Sequence, residues 1–265
     1  MDRIELIAID IDGTLVDHSN GSTIAEADRA AIAEAQARGI HVVLASGRGY
    51  DGAALYNREL GIRGYTIASV GAHVADAGGQ IVFATHIDPA VTREILTGAA
   101  RRGIHFHAYL DDRFYYLEPN EYTAQYEAQL GYAGAADPDL LAKELRAAKL
   151  LLVAEPDEIL RIRSELEARY PGLAFGSSAP FFLEIIDGAA NKGRALAFVA
   201  GQLGVPAGRI MAIGDSDIDI SMLRFAGVGV AVKSADPALK AEADYVCTGE
   251  RGEPGIAEAI RVFAS

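Results

Sequence analysis

The most constraining feature of this 265-residue chain is an apolar run that stops on a carboxylate, used at both ends of the sequence. Ile4 to Ile9 is apolar apart from Glu5 and stops at Asp10. Arg209 to Ile213 leads into Gly214-Asp215. Short apolar runs of this kind, bounded by turn residues, predict strands buried on both faces. Such strands belong to parallel sheets covered by helices. The intervening segments fit. Ser22 or Thr23 can cap a helix ending at Arg38, with Gly39 as its stop. A strand over Ile40 to Ala45, a helix over Tyr50 to Leu60 and a strand over Tyr65 to Ala68 follow. Toward the other end, helices are predicted over 192–203, 217–224, 237–242 and 255–263. Strands are predicted over 209–213, 228–232 and 245–247. Strand and helix in alternation define an α/β fold with a parallel sheet.

The middle of the chain reads differently. Ile104 to Tyr109 and Phe114 to Leu117 flank Asp111-Asp112, the pattern of a hairpin. Further strands are predicted over 150–153, 173–177 and 181–186, with helices over 89–102, 121–130 and 158–170. Hairpins mixed with helices predict an α+β domain, residues 81–187, inserted into a host formed by 1–80 and 188–265.

Composition narrows the function. The formal charge of −13 disfavours nucleic acid and anionic membrane as partners. An anionic substrate would need local cations or a metal ion. One cysteine, Cys247, permits neither an intrachain disulfide nor a thiolate metal cluster. No apolar run has the length of a membrane span, and the first residues lack the pattern of a signal peptide. The expected location is the cytoplasm, as a monomer or small homo-oligomer.

Four short motifs carry chemistry, each at the end of a predicted strand or the start of a helix. Asp10-Ile11-Asp12-Gly13-Thr14 sets two carboxylates one residue apart before a glycine turn. Asp10 can act as nucleophile and Asp12 as general acid and base; the plainer reading is an acidic turn. Ser46-Gly47-Arg48 offers a hydroxyl and backbone N–H groups to a phosphoryl oxygen, or is ordinary turn chemistry. Lys192, in Asn191-Lys192-Gly193, opposes the dipole of the helix it opens. Gly214-Asp215-Ser216-Asp217-Ile218-Asp219 adds carboxylates that would repel one another without a cation. Oxygen ligands suit a hard ion such as Mg2+. An EF-hand loop is excluded, because Ile220 and Ala226 stand where it needs glycine and glutamate.

In this order the four motifs resemble those of the haloacid dehalogenase-like (HAD) superfamily. The position of the extra chain is similar to that in its Cof-like subfamily, with a C2B-type cap inserted between the second and third motifs. The resemblance implies a Rossmann-like core and an aspartyl-phosphate mechanism. Asp10 matches the nucleophile, Asp12 the acid/base, Ser46 (with Gly47) the phosphate-binding turn and Lys192 the lysine. The implied Mg2+ would contact Asp10, the backbone carbonyl of Asp12, and Asp215, with Asp219 as ligand or support. The implied activity is a Mg2+-dependent phosphatase of a small phosphorylated metabolite, a sugar phosphate or related phosphomonoester. The alternatives are a sugar-phosphate phosphomutase and a non-catalytic sensor of phosphorylated ligands. A nucleotide-binding dehydrogenase is disfavoured, since no Gly-x-Gly-x-x-Gly follows the first strand.

Two positions depart from the family pattern. Ile218 stands where Asn is usual in the last motif, and Val70-Gly71-Ala72 where Asn-Gly-Ala is usual. Both departures predict altered substrate contacts. Arg48, Glu184, Asn191 and Ile218 are the substrate candidates. His18 lies in the segment that forms a mobile flap in the family. His105 and His107 share one face of a strand and are expected as a surface pair, with a face turned to substrate as the alternative. His41 and His73 are expected in packing or hydrogen bonding. Of Tyr115 and Tyr116, at most one is expected to face a site. Arg101-Arg102 is expected as a basic helix end.

Overall fold

The structure, a computed structural model, describes residues 3–17, 23–110, 113–177, 179–249 and 254–264. It contains two compact units. The first comprises Met1–Arg48, Ala53–Phe83 and Asn191–Ser265; the second comprises Gly49–Gly52 and Ala84–Ala190.

Elements are numbered in chain order. The first unit begins with β1 (Leu6–Ile9), a short β2 (Val16–Asp17) and β3 (Thr23–Ile24), α1 (Glu26–Ala37) and β4 (His41–Ala45). Next come α2 (Tyr50–Leu60), β5 (Thr66–Ala68), β6 (His73–Ala75) and β7 (Ile81–Ala84). After the second unit come α6 (Lys192–Leu203), β14 (Ile210–Gly214), α7 (Ile220–Phe225) and β15 (Val228–Ala231). The chain continues with α8 (Pro237–Glu242), β16 (Tyr245–Val246) and α9 (Gly255–Phe263). Eight strands form one sheet in the order β16-β15-β14-β1-β4-β5-β6-β7. β1 lies at its centre, parallel to both neighbours, with Ile9 level with Ile213 on one side and Leu44 on the other. That register brings the ends of β1, β4 and β14, and hence Asp10, Ser46 and Asp215, to one edge. Leu6, Ile7 and Ile9 are fully buried, each contributing roughly 1.5–3 kcal/mol by leaving water.

The second unit has its own sheet, ordered β10-β9-β8-β11-β13-β12. Its strands are β8 (His105–Tyr109), β9 (Phe114–Tyr116), β10 (Ala135–Ala136), β11 (Lys149–Val153), β12 (Leu173–Gly176) and β13 (Phe182–Asp187). Helices α3 (Pro89–Arg101), α4 (Glu121–Leu130) and α5 (Pro156–Arg169) complete it. β8 and β9 pair antiparallel, Ala108 opposite Tyr115, as the hairpin pattern predicts. The turn residues Asp111 and Asp112 lie outside the described residues.

Several local expectations are corrected. α1 begins after Ala25, which supplies no side-chain cap, because Thr23 is engaged in strand pairing with Asp17. Ser22 lies outside the described residues. The helix predicted over 217–224 is a 3-10 turn at Asp217–Asp219 followed by α7, since Asp219 turns its carboxylate back onto backbone N–H groups. β6 and β7 extend the first sheet, with β6 antiparallel to β5, where the sequence predicted no strand.

Candidate functional site

The carboxyl edge of the first sheet gathers a compact set of charges. Lys192, the first residue of α6, is completely buried. Its ammonium donates to Asp10 Oδ1 at 2.5 Å and to Asp219 Oδ1 at 2.5 Å. Asn191 caps α6 by accepting the Arg194 N–H at 2.8 Å, which fixes the first turn and so the lysine. Asp219 Oδ2 accepts the N–H groups of Asp215 and Ser216 at 3.0 and 3.2 Å. This inward fold of the turn requires Gly214, where a Cβ would lie 2.5 Å from Asp219 Cβ. Gly13, at φ +90°, brings the first loop against Asp215; a Cβ there would lie 2.1 Å from Asp215 Oδ2.

Asp10, Asp215 and Asp219 each offer one oxygen, all within 4.8 Å of one another. Burial raises the Asp10 carboxyl well above its ordinary range; Lys192 works against this and Asp219 adds to it. Asp215 is pushed up to about 6, by burial first and then by Asp219. Burial disfavours the Lys192 ammonium, yet Asp10 and Asp219 outweigh it, and the net shift is upward. Asp10 Oδ2 is buried with no hydrogen-bond partner among the described residues. Three crowded carboxylates, one with an unsatisfied oxygen, form a donor set that fits a hard divalent cation such as Mg2+.

The other predicted residues fall around this cluster. Arg48 Nε donates to Asp12 Oδ2 at 2.9 Å and Nη2 to Oδ1 at 2.7 Å, a bidentate fork. A substrate candidate from sequence is therefore a partner of the proposed acid/base. Ser46 is buried, and its hydroxyl accepts the Arg48 N–H at 3.0 Å. Ile218 is exposed on the turn between Asp215 and Asp219. Asp217 is exposed as well. Sequence reasoning missed Thr14, whose hydroxyl donates to Asp215 Oδ1 at 3.4 Å. It also missed the left-handed backbone at Ser69 and Val70, φ 50° and 59°. Nothing in the residue types signals either; a β-branched residue in that region costs roughly 1–3 kcal/mol.

Glu184 belongs to the second unit, where Lys149 Nζ lies 3.5 Å from its Oε2. His107 is fully buried and His105 half-buried, which corrects the expected surface pair. Their Nε2 atoms are 3.0 Å apart, and the ring of Tyr126 on α4 packs 4.8 Å from that of His107. Burial, with smaller effects of His105 and Lys149, lowers His107 to about 3. Tyr116 is buried and Tyr115 half-buried. His73 is buried, whereas His41 is exposed at the entry to β4. Arg101 and Arg102 end α3 as expected. His18 lies outside the described residues.

A largely parallel sheet with a buried lysine between Asp10 and Asp219 at its carboxyl edge fits a Rossmann-like hydrolase of the haloacid dehalogenase type. Comparison with known proteins agrees: residues 7–260 match the haloacid dehalogenase-like hydrolase family, to which the chain belongs. It is 30% identical over 283 residues to the 5-amino-6-(5-phospho-D-ribitylamino)uracil phosphatase YwtE of Bacillus subtilis (strain 168), covering 96% of each chain. It is also 30% identical over 259 residues to YcsE, a phosphatase of the same description from that organism, covering 97% of this chain and 95% of YcsE. The crystal structure of a haloacid dehalogenase-like hydrolase from Bacteroides thetaiotaomicron superposes with a TM-score of 0.88. It has 29% identity, with 98% of this chain and 100% of that one covered. No helix among the described residues is long and apolar enough to cross a membrane.

Proposed function

We propose that the chain is a Mg2+-dependent phosphatase of small phosphorylated metabolites, acting on a sugar phosphate, a polyol phosphate or a related phosphomonoester. The observation that carries this reading is the buried Asp10 carboxylate, with one oxygen on Lys192 and the other without a hydrogen-bond partner among the described residues. Asp10 attacks phosphorus and the ester bond breaks; Asp12 protonates the departing oxygen. Asp12 then takes a proton from water, which attacks the acyl phosphate and frees Asp10 and inorganic phosphate. Lys192 and the Ser46-Gly47 turn hold phosphoryl oxygens. The Arg48 fork fixes the plane of the Asp12 carboxylate. Asp10, Asp215, Asp219 and the backbone carbonyl of Asp12 would hold Mg2+, which offsets the negative charge that gathers as phosphate meets carboxylate. The second unit, with Glu184, serves as the specificity cap. The two ribitylaminouracil phosphate phosphatases support a polyol phosphate among the substrates.

The test is phosphate release from a panel of sugar, polyol and ribitylaminouracil phosphates, with Mg2+ or with chelator. Wild type should release phosphate only with Mg2+, and Asp10→Asn should release none. A Mg2+-independent activity, or an active Asp10→Asn, would overturn the reading. Activation by a sugar bisphosphate with no net release would point to the mutase instead.

A further inference from the structure

Gly47, in the turn that follows β4, lies between two apolar side chains. A Cβ placed on it would stand 3.9 Å from Ile218 Cδ1 and 3.9 Å from Val70 Cγ2. Ile218 is 40% exposed, a large apolar side chain turned to solvent next to buried Asp219. Val70 is half-buried. The two residues come from loops far apart in sequence yet border the same glycine, next to Ser46 and Arg48.

The backbone at Val70 makes the choice of residue more pointed. Its φ of 59° and ψ of 24° lie in the left-handed region, where a β-branched side chain crowds its own backbone. Two hydrogen bonds hold it there: Val70 N–H to the Ser46 carbonyl at 3.0 Å and Ser69 N–H to the Arg48 carbonyl at 2.7 Å. Gly71, at φ +91°, has no room to yield, since a Cβ would lie 2.2 Å from the Asn191 carbonyl oxygen. Asn or Gly would occupy position 70 with less strain. A strained valine kept at the rim of a site implies that its side chain has work there.

We infer that Val70 and Ile218 form an apolar rim that selects the leaving group. A phosphomonoester that turns neutral carbon toward Gly47 is favoured, and one with a second anionic group near the ester oxygen is disfavoured. This rests on the phosphatase reading of the same site. A carboxylate or second phosphate set against these side chains would lose water and gain no donor from either. The nearby guanidinium of Arg48 is engaged by Asp12. Amides at both positions would supply donors and remove the bias.

The experiment compares kcat/KM for the best substrate of the panel and its carboxylated counterpart, beginning with glycerol 3-phosphate and 3-phosphoglycerate. Wild type, Val70→Asn, Ile218→Asn and the double variant are measured, together with melting temperatures. Wild type should favour the neutral ester at least tenfold, and the double variant should reduce that ratio at least fivefold. Val70→Asn should also melt higher, as the backbone strain relaxes. Phosphate release with no preference in wild type, or a preference unmoved in the double variant, overturns the rim. Absence of release from every ester overturns the phosphatase reading instead.

Discussion

The two units bury polar groups in opposite ways. The first buries charge. Asp10, Asp219 and Lys192 are closed off from solvent, and one Asp10 oxygen has no hydrogen-bond partner among the described residues. The second unit buries neutral groups at β8: His105 and His107 share a ring hydrogen bond, Thr123 Oγ1 lies 3.0 Å from His105 Nε2, and Tyr109 meets Tyr126 OH to OH at 2.5 Å. One arrangement crowds carboxylates in a way that a cation can relieve. The other leaves His107 Nδ1 without a hydrogen-bond partner among the described residues, but that atom belongs to a neutral ring and not to a carboxylate. Charge imbalance, more than polarity as such, separates a reactive cluster from a structural one.

The largest effect should come from removing Asp10, the proposed nucleophile. Asp10→Asn should lower phosphate release by ~10⁴-fold or more, while its melting temperature without Mg2+ holds or rises, because the cluster loses one of three mutually repelling carboxyls. Steady-state kinetics and calorimetry check both halves. Lys192→Met should act on stability as well. It strands Asp10 and Asp219 without their shared cation, at a cost of ~3–5 kcal/mol. Lys149→Met supplies the contrast. Lys149 is buried too, yet it leans on the Tyr109 ring at 4.5 Å and on half-buried Glu184, so its loss should cost only ~1–2 kcal/mol. Equal losses in denaturant titrations of the two variants would erase the distinction between the units.

pH should separate the units by sign. In chelator, Asp215 titrates near 6 in the fold against 3.8 as an ordinary carboxyl. The folded first unit thus binds the extra proton, and its stability falls as pH rises from 3.8 to 6. His107 titrates near 3 against an ordinary 6.5. There the unfolded chain binds the extra proton, so stability of the second unit falls as pH drops from 6.5 toward 3, by about 1.4 kcal/mol per pH unit. Hydrogen exchange resolved to β14 and to β8 should show opposite slopes across pH 4–6. His107→Phe should flatten the second slope. Mg2+ should flatten the first.

The legible parts of the molecule were those with one dominant local cause. Apolar runs ending at Asp10, Ala45 and Gly214 marked the sheet edge, and Gly204 with the apolar face of α6 fixed that helix to the residue. The acidic and basic members of the cluster were readable because few chemistries need such residues at strand ends. Other features depend on partners distant in sequence. The His-x-His pattern of β8 suggests one wet face, but both faces are covered. Phe106 and Ala108 pack in the core that includes Ile95 and Ile162, while Tyr109 packs with Phe114 and Tyr126. β6 and β7 are too short to carry a period, and β7 alternates half-buried with exposed residues. The left-handed Val70 follows from hydrogen bonds to Ser46 and Arg48, which no local window contains.

Glu258 tests whether the first unit's preference for buried charge extends beyond its reactive edge. Its carboxylate accepts from Tyr245 OH at 2.7 Å, from Thr248 N–H at 3.0 Å and from Gly249 N–H at 2.9 Å. Burial pushes the group up, but these donors outweigh it and hold it at about 2 against an ordinary 4.5. Here the charge is fully spent on hydrogen bonds that tie the end of β16 to α9. Its stabilisation should be complete above pH 4.5 and fade as pH falls toward 2. Glu258→Gln sets an amide donor among these donors and should cost ~1–2 kcal/mol, with kcat and KM unmoved. A change in turnover would mean that this clasp and the aspartate cluster are coupled through β15 and β14, and that the charges of the first unit act as one network.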